Sequence, residues 1–335
     1  MNQKTGIIIT SINPPNRAMQ MFAEGASQHG MDFLVIGDTK SPEDFSLKSC
    51  RFFSVGQQLE TGFKFAEDCP TRHYARKNIG YLIAMQEGAE IIIDTDDDNL
   101  PRDGFWTERV RTFDAPVLKN GGWVNAYRYF SDALIWPRGL PLDEVNKSLP
   151  PFDSLPVESL DSPIQQGLAD ENPDVDAIYR LLLPLPQNFE KGKKLALAGT
   201  SWCPFNSQNT TWFREAFPLL YLPAHCSFRM TDIWRSFVAQ RVAREYGWSL
   251  LFDEPTVWQE RNDHSLMRDF EDEVSGYLKN AQIADRLDGL KLESDLGGIY
   301  NNVRLCYQTL VEMGCVGEAE LPLLDLWIDG MSESV

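Results

Sequence analysis

Several things that this chain lacks narrow its function before any motif is read. None of its apolar runs approaches the roughly 20 residues that a helical membrane span needs. The longest, such as 33–36 and 91–93, are strand-sized. The opening Met1-Asn2-Gln3-Lys4-Thr5 leads straight into a strand-like run without a signal-peptide core. The expected location is therefore cytoplasmic, unless the chain was cut from a longer anchored parent. Cations are scarce: 31 Lys and Arg stand against 49 Asp and Glu, a net charge of -18. That deficit excludes nucleic acid as a partner, because a phosphate backbone is bound by basic surface. The six cysteines (Cys50, Cys69, Cys203, Cys226, Cys306 and Cys315) form no C-x-x-C pair and match no zinc spacing. They are expected to be reduced and mostly buried. No internal repeat is visible.

What remains reads as a globular α/β chain. Residues 6–12 (GIIITSI) suit a parallel strand buried on both faces. Asn13 and Pro15 offer a helix cap and a first-turn proline, Ala18, Met21, Phe22 and Ala26 supply a helical apolar face, and Gly30 stops it. Residues 33–37 (FLVIG) make a second strand, so the chain opens β-α-β with a right-handed crossover. A helix is predicted from about Thr71 to Glu87, then a buried strand Ile91-Ile92-Ile93. The stretch 137–187, rich in proline and acid, reads as an irregular excursion over the sheet, and a loop of that length is usually functional. Order returns at 195–199, a helix follows from Thr231 as N-cap to Tyr246, then a short strand 250–252, and the pattern is helical from about Ser265 onward.

The chemistry concentrates where Ile91-Ile92-Ile93 delivers Asp94, Asp96, Asp97 and Asp98 to the carboxyl edge of the sheet, where open α/β sheets bind ligands. Carboxylates this close repel one another, and a divalent cation removes the conflict. Oxygen ligands at a strand end suit Mg²⁺ or Mn²⁺. An EF-hand is rejected, since Asn99 and Phe105 stand where its glycine and glutamate belong. An aspartyl-phosphate phosphatase carries such a motif on its first strand, and here two strands precede it. A solvated acidic turn is the plainer alternative.

Four further segments accompany this run. Arg76-Lys77-Asn78-Ile79-Gly80-Tyr81-Leu82-Ile83-Ala84-Met85-Gln86-Glu87-Gly88-Ala89, followed by Ile93-Asp94-Thr95-Asp96-Asp97, resembles the core motif of the STELLO family of glycosyltransferases. Residues 204–210 (PFNSQNT), 229–235 (RMTDIWR) and 259–264 (QERNDH) resemble the same family, in the same order, over roughly 7–270. More distantly the chain is similar to the reversibly glycosylated polypeptides, which act as UDP-arabinose mutases, at Thr95 to Asp98, at Arg138-Gly139-Leu140-Pro141 and at Thr231-Asp232-Ile233-Trp234. It departs from them with Leu140 in place of an aromatic residue and Thr231 in place of an aspartate.

These resemblances imply a GT-A type fold, a Rossmann-like mixed sheet flanked by helices. Residues 1–270 would form the nucleotide-sugar-binding and catalytic domain, with 1–100 as the nucleotide-binding half, and 271–335 a C-terminal helical extension. The implied function is a metal-dependent glycosyltransferase of polysaccharide biosynthesis, using a nucleotide-sugar donor (a UDP-sugar) and a glycan or protein acceptor. The alternatives are a nucleotide-sugar mutase or self-glycosylating protein, and a non-catalytic scaffold for a polysaccharide synthase. Asp96 and Asp98 are expected to hold Mn²⁺ or Mg²⁺, with His264 completing the metal or phosphate site. Asp94 would hold the ribose or the metal. Thr10, Ser11, Asn13 and Asp38 would receive the nucleoside. Arg76 and Lys77 disfavour a helix N-terminus electrostatically, so an anionic partner such as diphosphate explains them better. Asp232 is expected as base or acceptor-orienting group, with Arg235 of the same 229–235 segment on the nucleotide-sugar. Arg138 is expected either to bind diphosphate bidentately or to carry sugar, with Asp143 and Glu144 as activating carboxylates. Trp202 and Trp234 suit either sugar stacking or the core.

Overall fold

The computed structural model describes residues 3–260 and 265–332. Its centre is one mixed sheet of eleven strands. The first half is β1 (Thr5–Thr10), β2 (Asp32–Ile36), β3 (Arg51–Phe53) and β4 (Ile91–Thr95), which lie parallel in the order β3-β2-β1-β4. The rest are β5 (Asn99–Pro101), β6 (Thr112–Lys119), β7 (Val157–Asp161), β8 (Ile164–Asp170), β9 (Lys194–Ala198), β10 (Asn209–Phe213) and β11 (Leu250–Gln259). They continue the sheet as β4-β10-β8-β11-β9-β6-β7, with β5 paired to β11. β10 runs antiparallel to both β4 and β8. A Rossmann-like parallel half joined to antiparallel strands is a GT-A type layout.

The helices are α1 (Arg17–His29), α2 (Val55–Leu59), α3 (Lys64–Asp68), α4 (Lys77–Gln86), α5 (Ala177–Leu182), α6 (Thr231–Glu245), α7 (Leu266–Asp288), α8 (Ile299–Glu312) and α9 (Glu320–Ser332). Strand side chains alternate between faces, and the isoleucine runs use that fully. Ile7, Ile9, Ile91 and Ile93 pack with Met19, Phe22 and Ala26 of α1. Ile8 and Ile92 face the larger core with Ile79 and Leu82 of α4, Phe237 of α6 and Leu310 of α8. α4 lies unusually close to the sheet at Gly80, where a Cβ would sit 2.7 Å from Ile8 and Ile36 atoms. That approach brings the N-terminus of α4 to the carboxyl ends of β1 and β4. Helices α7 to α9 share the same core through Ile283, Tyr307 and Trp327.

Several expectations need correction. α1 is capped by Asn16, whose side chain accepts from Met19 N, so the helix starts after Pro15. Thr231 is the first residue of α6 and not its cap; the N-cap is Met230, with no side-chain cap bond. The stretch 137–187 is less irregular than its composition suggests, because it contains β7, β8 and α5. β8 is a central strand, and its Gln165 and Gln166 are buried with their amides hydrogen-bonded to Val110 O, Ser162 O and Gly167 O. The strand predicted at 250–252 runs on to Gln259; Pro255 falls where the pairing with β8 shifts register, one of the few places a sheet tolerates proline.

Candidate functional site

Strands β1, β2 and β4 end at a cavity of about 570 Å³. It lies where the strand order turns from β2 on one side of β1 to β4 on the other, the switch point at which such sheets bind ligands. Of the residues expected from sequence, Thr10, Ser11, Asn13, Asp38, Arg76, Asp96, Asp98, Arg138 and Asp232 line it. Lys77, Asp94 and Arg235 lie behind its wall, and His264 falls outside the described residues.

The acidic run divides into separate tasks. Asp94 is fully buried between Lys77 Nζ, 2.6 Å from Oδ1, and Arg235 Nη1, 2.8 Å from Oδ2. Lys77 Nζ also reaches Asp96 Oδ1 at 3.0 Å and Thr95 O at 2.5 Å. Burial opposes the charge on Lys77, but Asp94 and Asp96 overcome it and hold the ammonium above its ordinary range. The anion that explains a lysine at this helix N-terminus is thus the protein's own strand end, and Lys77, Asp94 and Arg235 form a buried triad beneath the cavity. Asp97 faces the switch point: Ser11 Oγ at 2.5 Å and Asn13 Nδ2 at 2.9 Å donate to its Oδ2, and Asn16 Nδ2 donates to its carbonyl at 2.7 Å. Asp98 receives Gln259 Nε2, 3.1 Å from each oxygen.

Asp96 stays at the cavity with its side chain one-third exposed. Desolvation pushes its carboxyl up to about 7, Lys77 opposes this, and Asp98 and Asp94 add to it. Among the described residues no three or more His, Cys, Asp or Glu side chains gather to hold a metal ion. Mg²⁺ and Mn²⁺ need less than that, since one or two carboxylates, substrate phosphates and water suffice. The pair Asp96 and Asp98, both lining the cavity, fits such an ion.

The facing wall is built on Arg138. Gly139 follows it at φ +89, and a Cβ there would lie 2.5 Å from Ile233 Cγ2 of α6, so only glycine lets the turn approach that helix. The guanidinium lies between two carboxylates. Nε and Nη2 donate to Asp174 at 2.8 Å each. Nη1 and Nη2 donate to Asp232 at 3.1 and 2.9 Å, and Nη1 also donates to Arg229 O. All five guanidinium N–H donors are therefore satisfied. Burial works against its charge, and Asp174 and Asp232 outweigh it, raising the group well above its ordinary value. The carboxylates flanking Arg138 are not Asp143 and Glu144: Glu144 pairs with Lys147. Arg76 is likewise engaged, donating to Gln58 Oε1 and Cys69 O at 2.8 Å. Asp38 accepts Thr39 N at 2.6 Å and His73 N at 3.1 Å.

Sequence reasoning missed Asp97 as a cross-link, Asp174, and Arg229, whose guanidinium donates to buried Glu273 of α7 at 3.0 and 2.9 Å. Glu273 and Asp174 sit in helix and loop segments without a local signal. Trp202 and Trp234 are core residues, donating to Asp288 and Asn280.

A switch-point cavity with an acidic strand end on one side and an arginine-carboxylate wall on the other marks the ligand-binding edge of an α/β protein. The chain is STELLO-like and belongs with that family: residues 229–334 match the profile of the STELLO glycosyltransferases. Over 322 residues it is 34% identical to "Probable glycosyltransferase STELLO2" of Arabidopsis thaliana, covering 90% of this chain and 41% of that protein. Over 247 residues it is 33% identical to "Probable glycosyltransferase STELLO1" of the same plant, covering 68% of this chain and 32% of that one. The chain thus spans less than half the length of these relatives. Among solved structures, a mycobacterial protein matches with a TM-score of 0.42 and 10% identity, over 84% of this chain and 75% of that one. No helix among the described residues is long and apolar enough to cross a membrane.

Proposed function

We propose that this chain is a glycosyltransferase taking a nucleoside-diphosphate sugar, a UDP-sugar first among them, with Mn²⁺ or Mg²⁺ held by Asp96 and Asp98. The observation that carries this reading is the pair of cavity-facing carboxylates at the end of β4, opposite Asp232, in a STELLO-family chain. Bound there, the ion would neutralise charge on the departing diphosphate. The nucleoside lies over the ends of β1 and β2, beside Thr10, Ser11 and Asn13. Lys77 and Arg235 hold Asp94 fixed and so keep the end of β4 rigid.

Asp232 orients the acceptor hydroxyl. A carboxylate offers about four lone-pair sites. Arg138 Nη1 takes one on Oδ1, while Arg138 Nη2 and Ser207 N take two on Oδ2. One site on Oδ1 remains for a substrate hydroxyl. The sugar-carrier role of Arg138 is disfavoured, because a fully donated guanidinium held charged by two carboxylates has no lone pair to attack with.

The test is a panel of nucleotide sugars screened for thermal stabilisation with Mn²⁺, with Mg²⁺ and with EDTA. A ligand at 100 times its Kd adds about 2.7 kcal/mol. A shift with one sugar nucleotide that needs the ion supports the reading. No shift with any of them, at millimolar concentration, removes it in favour of a scaffold.

A further inference from the structure

Six cations line the cavity: Lys40, Arg72, Arg76, Arg138, Arg180 and Arg229. Four are engaged within the protein. Arg138 has every donor used, Arg229 is held by Glu273, Arg76 by Gln58 and Cys69 O, and Arg180 donates to Pro173 O at 2.8 Å. Lys40 and Arg72 have no ion pair or side-chain hydrogen bond among the described residues. In a chain of net charge -18, two unpaired cations on one cavity wall stand out against a surface rich in available carboxylates.

Their placement is built. Asp38 accepts Thr39 N with one oxygen and His73 N with the other, so a single carboxylate ties together the loops that carry Lys40 and Arg72. Ser41 Oγ donates to Ser11 O and accepts from Asp38 N, both at 2.8 Å, which pins the first loop to the end of β1. Arg72 itself has φ 57, a left-handed conformation that non-glycine residues seldom adopt.

We propose that Lys40 and Arg72 form the anion clamp of the cavity and receive the phosphate groups of the nucleotide, with Asp38 as the residue that positions them. This rests on the donor reading above. It moves phosphate recognition away from Lys77 and Arg138, whose charges are already matched by carboxylates; Arg76 has only the neutral partners Gln58 and Cys69 O, with Nη2 buried and unpaired.

Calorimetry with UDP and with uridine, in Mn²⁺, separates the possibilities. Lys40→Gln and Arg72→Gln should each weaken UDP binding about tenfold, the low end for a charge-assisted contact because both side chains are solvent-facing. The double variant should lose about a hundredfold and show a shallower salt dependence. Uridine affinity should not change, nor should Lys48→Gln, an exposed lysine outside the cavity, affect either ligand. Arg72→Lys, which keeps the charge, should recover most of the loss. UDP affinity unchanged in the double variant, with its melting temperature intact, overturns the clamp. Failure of the unaltered chain to bind UDP overturns the donor reading and the clamp with it.

Discussion

Replacing Arg138 with methionine tests the central feature of the cavity wall. The substitution keeps much of the apolar stem and removes the guanidinium. It leaves Asp174 and Asp232, with side chains only 11% and 10% exposed, without their shared cation. Breaking a buried pair by removing one partner costs about 3–5 kcal/mol. Two carboxylates are stranded here, which argues for the upper end. Arg229 Nη2, 4.0 Å from Asp174, and Ser207 N, 3.3 Å from Asp232, offer partial replacement and argue against exceeding it. A loss of about 4 kcal/mol corresponds to a fall of roughly 6 °C in melting temperature for a chain of this size.

The pH dependence supplies the sign. In the native protein burial alone would raise the Asp174 carboxyl, but Arg138 first, then Arg229 and Arg180, hold it below its ordinary value of 3.8. Its contribution is therefore present above that value and lost only as pH falls through the lower folded one. Without Arg138 the burial effect prevails. The folded variant then binds protons more tightly than the unfolded chain and gains stability as pH falls from 8 toward 5. Urea denaturation at pH 8, 6.5 and 5 should show the gap between native protein and variant narrowing with acid, and Arg138→Lys should fall between them, since a point charge cannot fork both carboxylates. A loss below about 1 kcal/mol, equal at all three pH values, refutes the reasoning.

UDP binding should need a divalent ion, measured by calorimetry with and without EDTA; equal affinity in both sinks the role given to Asp96 and Asp98. Because Asp96 is raised to about 7 and must be ionised to hold the ion, Mn²⁺ affinity should fall about tenfold between pH 8 and pH 6. Asp232→Asn should cut turnover by roughly 10²-fold or more while leaving UDP-sugar affinity nearly unchanged; normal activity per folded molecule would reduce Asp232 to a partner of Arg138. Intact-protein mass spectrometry after incubation with UDP-sugars and Mn²⁺ should show no adduct on Arg138, and a single hexose or pentose mapped there would favour the mutase.

Legibility followed range. The β1–α1–β2 opening and β4 could be read because each is a continuous apolar run that needs no partner to be recognised. β8 could not, since Gln165, Gln166 and Gly167 carry no strand pattern until the carbonyls that satisfy the glutamines are in place. The edge that holds the cavity was legible, as were the acidic run, Arg138 and Asp232. Their pairing was not: Asp232 and Arg138 are 94 residues apart, and Asp94 and Arg235 are 141 apart. Residue type identifies a charge, but only the fold decides whether its partner is substrate or protein.

That distinction changes the argument from the acidic run itself. Four carboxylates within five residues suggested collective repulsion relieved by one ion. The protein instead neutralises them unequally. Asp94 has two buried cations, Asp97 is bound by the Ser11 hydroxyl and the Asn13 amide, and Lys77 is shared between Asp94 and Asp96. Asp96 therefore has half of one cation, with Asp98 and Asp94 pushing against it. Of the four, Asp96 is the one whose carboxyl is held up to about 7, by desolvation first, at the cavity edge. The uneven compensation fixes the strand end through Asp94 and Asp97 while Asp96 stays at the cavity.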